Sequence, residues 1–298
     1  MLALIAGRGS LPAAVAAAQK VPPLVCALQA QPPDTLKPDL TFRLETLGSL
    51  LGQLRARGVT DVCLCGAIDR PDLDPAALDA ETARLVPVLQ QALGQGDDGA
   101  LRAVMGLFEQ SGFAIRAAHE LAPGLLPTAG VLTKRQPQQG HRADVATALE
   151  VLADQGRADL GQACVVRRGQ VLVREGEEGT DAMLATLAQQ GGDGSWDGDP
   201  ITWSFDLAGD LIGQAADWLS NTAERSPDAP GAGAILFKAP KPGQDWRADL
   251  PTIGPVTAIR AAEAGLDGIV IAAGGVIVLD RAQVVAICDA KGLFLWVR

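Results

Sequence analysis

The first third of the chain alternates short, unbroken apolar runs with Ala- and Leu-rich stretches of helical length. Leu2-Ala3-Leu4-Ile5-Ala6 is followed by Leu11 to Gln19, Leu24-Val25-Cys26-Ala27-Leu28, Gly48 to Gly58, and Val62-Cys63-Leu64-Cys65-Gly66. A strand that is apolar at every position has both faces buried, so these runs predict a parallel sheet covered by helices on each side. In such sheets ligands sit beyond the carboxyl ends of the strands. Gly7-Arg8-Gly9-Ser10 and Ala67-Ile68-Asp69-Arg70-Pro71 each directly follow a strand and so fall on one rim.

At 298 residues the chain exceeds the size at which one core usually stops growing. The fold class expected is α/β with two domains, a Rossmann-like parallel sheet over 1–130 and a second α/β domain over 131–298. Residues 122–140 carry three prolines and three glycines and read as the Pro/Gly-rich linker, with His141 at its end. The second part opens with an amphipathic helix near Arg142 to Gln155 and continues with a hairpin from Cys164 to Val173 around an Arg-Arg-Gly turn. Glycine, aspartate and proline then crowd a stretch that reads as an insertion over 190–232, with Trp196, Trp203 and Trp218 inside it. Those tryptophans either pack on the parent domain or dip into a lipid interface. The end returns to strands and helices, closing with Leu293 to Val297.

The 25 Lys and Arg against 35 Asp and Glu give a net charge of −10, which excludes sequence-independent nucleic-acid binding, since that mode needs a basic footprint. An acidic chain can still hold a diphosphate if carboxylates capture a divalent cation and a few cationic or N–H groups converge. Five cysteines in apolar surroundings, an odd number, fit a reducing compartment. The apolar run at the N-terminus is too short for a targeting signal, and no apolar span reaches the length of a membrane helix. The expected location is cytoplasmic.

Several segments carry candidate chemistry. Gly7-Arg8-Gly9-Ser10, with Leu11 and Pro12 opening a helix, is either a structural turn or an anion cradle; it lacks the third glycine of a dinucleotide fingerprint. Asp97 and Asp98, on a turn ahead of a helix from Ala100, suit a helix cap or a Mg2+ site. His119 follows an apolar run ending at the same rim. Glu178, Thr180 and Asp181 lie in an acid-rich turn before a helix from Ala182, where one caps the helix and the acids can meet a cation. Lys238 and Lys241 flank Pro240 in a stiff loop after the strand Ala234 to Phe237, which suits grasping phosphates. Asp249, in the Pro-bounded loop Arg247 to Gly254, is a candidate metal ligand or general base.

Taken together, these segments resemble the LpxI family of UDP-2,3-diacylglucosamine pyrophosphatases. The matching stretches are Leu4 to Pro12, Arg70-Pro71-Asp72, Gly96-Asp97-Asp98, Ala118-His119-Glu120, Gln162, Glu178 to Met183, Lys238 to Pro242, and Asp249 to Gly254, in order over nearly the whole chain. The resemblance implies hydrolysis of UDP-2,3-diacylglucosamine to UMP and 2,3-diacylglucosamine 1-phosphate in lipid A synthesis, with Mg2+ or another divalent cation assisting a water that attacks the β-phosphate. It ties Asp249 to catalysis; the residues themselves add Lys238 and Lys241 as catalytic candidates, and Asp97, Asp98 and Glu178 beside Asp249 as candidate metal ligands. Gly9 and Ser10 match a substrate-contacting turn of the family, and further substrate contacts are expected from Leu11, Asp69, Arg70, His119, Gln162, Thr180, Asp181 and Thr252, although Ala67-Ile68-Asp69 departs from the family's segment with Asn and Ser. The expected partners are the lipid-linked UDP-sugar and the inner-membrane surface, met peripherally, with a homodimer as the assembly. A non-catalytic sugar-nucleotide or lipid binder on the same scaffold is the alternative.

Overall fold

The computed structural model describes residues 1–69, 74–87, 96–158, 160–189 and 226–298. It divides into two compact units: Met1–Gly124 with Gln244–Leu250, and Leu125–Gly243 with Pro251–Arg298.

In the first unit, strands β1 (Leu2–Ala6), β2 (Leu24–Leu28), β3 (Leu40–Phe42), β4 (Asp61–Cys65) and β5 (Ala114–Ile115) form an all-parallel sheet in the order β3-β2-β1-β4-β5. The helices are α1 (Leu11–Ala17), α2 (Leu47–Ala56), α3 (Ala80–Ala83), α4 (Gly96–Gln110) and α5 (Ala118–Leu121). Helix α2 shows why this layer forms. Leu47, Leu50, Leu51 and Leu54, spaced i, i+3, i+4 and i+7, are all buried and pack with Ile5, Val62 and Phe108. Each such side chain stabilises the fold by about 1.5–3 kcal/mol relative to exposure. The strand order reverses between β1 and β4, so their carboxyl ends form the crevice where this topology receives ligands. Helix α4 starts at Gly96 rather than Ala100, so Asp97 and Asp98 belong to its first turn and not to a preceding loop.

The second unit carries β6 (Gly130–Val131), α6 (Gln139–Arg157), β7 (Ala163–Arg167), β8 (Gln170–Arg174), α7 (Gly179–Gln189), β9 (Ile235–Lys238), β10 (Thr252–Ile253), α8 (Pro255–Glu263), β11 (Gly268–Ile271), β12 (Ile277–Val278), α9 (Arg281–Ala290) and β13 (Phe294–Val297). Six of its strands make a mixed sheet in the order β6-β13-β11-β9-β7-β8, in which β9, β11 and β13 run parallel and the outer strands antiparallel. Its residues alternate between two cores: Leu236, Ile269 and Ile271 face a cluster with Leu184, Ala258 and Val284, while Ile235, Phe237 and Val270 face Val145, Ala148 and Leu152 of α6. Both faces are therefore covered, as unbroken apolar strands require.

The β7–β8 hairpin turns through Arg168 and Gly169, both with positive φ (50° and 75°), the two-residue turn that matches the twist of paired strands. The Pro- and Gly-rich stretch 122–140 crosses between the units at Gly124–Leu125 and then folds with the second. There β6 pairs with β13, and the Leu295 amide donates to Thr133 Oγ1 at 2.9 Å. Helix α6 starts three residues earlier than its periodicity suggests and takes in His141, which is buried. His141 Nδ1 accepts the Gln138 amide at 3.0 Å, leaving Nε2 to donate to Asp267 Oδ2 at 3.0 Å. It is a structural histidine.

Candidate functional site

In the first unit the loops after β1 and β4 are stitched together. The Gly7 amide donates to the Cys65 carbonyl, and Arg8 and Ala67 exchange both backbone hydrogen bonds, each at 2.9 Å. Only glycine fits at position 7, because a Cβ there would stand 2.4 Å from the Ala67 carbonyl oxygen. Gly9 has φ +90°, and its amide donates to the Asp34 carboxylate at 2.7 Å. Ser10 is exposed and precedes α1 without a side-chain capping bond; Leu11 is half-buried. Asp69 pairs with Arg8 at 2.7 Å, and Gln31 clasps the Asp69 backbone through both amide atoms at 2.7 and 2.9 Å. The structure thus brings Gly9, Ser10, Leu11 and Asp69 to one rim, as their positions after strands imply. Arg70 lies outside the described residues, as do the side chains of Asp97 and Asp98. His119 is half-buried on α5, after β5.

Asp249 also belongs to this unit, within the segment Gln244–Leu250. Arg247 holds the segment down: its guanidinium donates to Glu109 on α4 at 2.6 Å and to both oxygens of Asp245 at 3.0 and 2.8 Å. The Asp249 amide donates to the Asp245 carbonyl at 3.1 Å, and Gln244 Nε2 donates to Asp249 Oδ2 at 2.6 Å. One carboxylate oxygen is therefore fixed, and Oδ1 has no partner among the described residues. A half-buried carboxylate held by one edge is suited to orient a water or take a cation.

The second unit holds a different cluster. Lys238 is not in the loop after β9 but is its last residue, only 8% exposed, because the apolar strand runs one position further than Phe237. Lys241 lies three residues on, half-buried, so the two ammonium groups have unlike surroundings. Lys238 Nζ donates to Thr180 Oγ1 at 2.6 Å and stands 3.8 Å from Glu175 Oε1. Burial lowers the Lys238 pKa below the usual lysine range, against the upward pull of Glu175 and Asp181. Glu175 is buried and accepts from the Thr180 hydroxyl and the Gln162 amide. Thr180 and Asp181 sit inside α7, which starts at Gly179, and Asp181 accepts from Thr257 at 2.9 Å. Thr252, half-buried, opens β10. Glu178 is exposed, so the buried acid of this turn is Glu175.

Among the described residues no group of three or more His, Cys, Asp or Glu forms a ready metal cage. A Mg2+ that keeps waters and shares substrate phosphates needs only one or two carboxylates, and the Asp249 carboxylate fits that donor chemistry.

Comparison with known proteins divides the chain near the same point, except that the segment Gln244–Leu250 of the first unit falls within the C-terminal match. Residues 1–125 match the LpxI N-terminal domain, and residues 128–197 and 212–296 match the LpxI C-terminal domain. The chain is 38% identical, over 99% of its own length and 96% of the relative's, to the UDP-2,3-diacylglucosamine pyrophosphatase LpxI of Caulobacter vibrioides. The chain belongs to the LpxI family. The LpxI C-terminal match breaks at 198–211, inside the stretch 190–232 expected as an insertion; residues 190–225 lie outside the described ones.

Four residues beside the LpxI motifs escaped the sequence reasoning: Gln31, Asp34, Glu175 and Gln244. Nothing local marks Glu175 as buried: Arg174 before it, at the end of β8, is exposed, and so are Glu177 and Glu178 after it.

Proposed function

We propose that this chain hydrolyses the diphosphate of UDP-2,3-diacylglucosamine to UMP and 2,3-diacylglucosamine 1-phosphate, a step of lipid A synthesis. The observation that carries this is the 38% identity running through 99% of the chain to a UDP-2,3-diacylglucosamine pyrophosphatase. The side chains present suit the chemistry. Asp249, with one oxygen held by Gln244, orients the attacking water. Lys238 and Lys241 offset charge on the phosphates, and Thr180, Gln162 and the Gly9–Ser10 turn orient the substrate. A divalent cation held at Asp249 and the phosphates would neutralise charge as the P–O bond breaks.

In this reading the water attacks the β-phosphorus, so its oxygen ends in the sugar 1-phosphate and UMP leaves. Because the acyl chains keep the substrate in a membrane, the enzyme meets it peripherally at the cytoplasmic face of the inner membrane, as a homodimer.

The deciding assay follows UMP release from UDP-2,3-diacylglucosamine and Mg2+. The wild-type chain is expected to release UMP, a chelator to stop it, and Asp249→Ala to slow it by at least about a hundredfold. In H2 18-O the label is expected in 2,3-diacylglucosamine 1-phosphate; label in UMP would refute attack at the β-phosphorus. Tight substrate binding without UMP would favour the non-catalytic alternative.

A further inference from the structure

The geometry points to Glu175 as the positioning residue of the Lys238 site, fixing the direction of the Thr180 hydroxyl and supplying the counter-charge of the buried Lys238 ammonium. This rests on the proposed reading that Lys238 serves the diphosphate.

The hydrogen-bond directions follow from counting protons. A threonine hydroxyl has one proton, and a carboxylate can only accept. The Thr180 proton therefore goes to Glu175 Oε1, and the hydroxyl turns a lone pair to Lys238, whose Nζ donates into it at 2.6 Å. The second carboxylate oxygen accepts the Gln162 amide, while the Gln162 side-chain Oε1 is buried with no partner among the described residues. One carboxylate thus braces three residues expected to meet the substrate: Lys238, Thr180 and Gln162.

The backbone fixes Glu175 itself. Its amide donates to the Ala163 carbonyl at 3.0 Å, and a Cβ at Gly161 would lie 2.5 Å from the Glu175 Cβ, so glycine keeps that space open. The charged groups facing Lys238 are Glu175, from the turn between β8 and α7, and Asp181, from α7, whose Oδ1 already accepts from Thr257. Burial depresses the lysine, and an opposite charge within about 4–6 Å raises such a cation by about 1–3 pKa units. Without Glu175, Lys238 would lose its proton at a pH where the wild type keeps it.

Glu175→Gln preserves shape and removes the charge. In the intact chain with Mg2+, the alkaline limb of kcat/KM for UMP release is expected to move down by at least about one pH unit. Glu175→Asp, which keeps the charge, is expected to restore the limb. A folded, active Glu175→Gln with the wild-type limb would overturn the role. Should that variant fail to fold, Lys238→Met with Glu175→Gln removes both buried charges and is expected to fold and match Lys238→Met alone. A further loss of about tenfold or more would overturn the proposal. A wild type that folds but releases no UMP counts against the hydrolase reading only. The Lys238 ε-methylene, titrated by NMR, is still expected to fall by about one unit in Glu175→Gln, and an unmoved value would end the positioning role.

Discussion

At the scale of single residues, the glycines at the ends of β1 and β4 carry the rim. Gly66 has φ +90°, and a Cβ on it would stand 2.7 Å from the Arg8 carbonyl oxygen. The obstacle is backbone, so no change of rotamer can relieve it. Gly9 shares the same φ but has open space around its missing Cβ. Gly66→Ala is therefore expected to cost both left-handed strain and the collision, at least about 2 kcal/mol. Gly9→Ala is expected to cost the strain alone, about 1–2 kcal/mol. Denaturant unfolding of the two variants checks this, and equal losses would mean that the loops after β1 and β4 part easily.

At the scale of elements, the start of α6 is held by charge. Burial raises the Asp267 pKa, but the hydrogen bond from His141 and the charge of Arg135 bring it below the ordinary carboxylate value. A depressed acid contributes its full stability above the unfolded pKa, about 3.9, and loses it as pH falls through the folded value. Wild-type thermal stability is thus expected to drop below about pH 4 more steeply than that of Asp267→Asn, which is less stable at neutral pH. Parallel pH curves for the two would remove Asp267 from this role. The sequence makes some elements plain and hides others for physical reasons. The strands β1, β2 and β4 and the hairpin announce themselves, because double burial demands unbroken apolar runs and Arg168-Gly169 suits a left-handed turn. Lys238 reads as a loop residue because nothing local reveals that Thr180, 58 positions earlier, accepts a hydrogen bond from it in the interior. Glu175 hides among Glu177, Glu178 and Asp181, since burial separates it from these neighbours and composition cannot. On the N-terminal rim, the positions of Gly9 and Asp69 are legible, while Asp34 and Gln31 arrive from a loop whose path no periodicity records.

At the scale of the whole molecule, the chain leaves the first unit after Gly124 and returns to it for only Gln244–Leu250. No composition shift marks this return; it is made by Arg247 reaching Glu109, 138 residues away. The consequence is that Asp249 belongs to one unit while the lysines before it in sequence belong to the other. Each unit has its own apolar core, so each can respond separately to a core substitution. A variant retaining Trp246 alone, with Trp196, Trp203, Trp218 and Trp296 changed to Phe, turns this into a measurement. Leu54→Ala empties space in the core of the first unit and Leu184→Ala in that of the second, each at a cost of about 2–5 kcal/mol. The Trp246 fluorescence transition in urea is expected to shift to lower concentration with Leu54→Ala and to hold with Leu184→Ala. The reverse pattern would mean that the segment carrying Asp249 unfolds with the unit that surrounds it in sequence, and that Arg247 does not bind it to α4 strongly enough to matter.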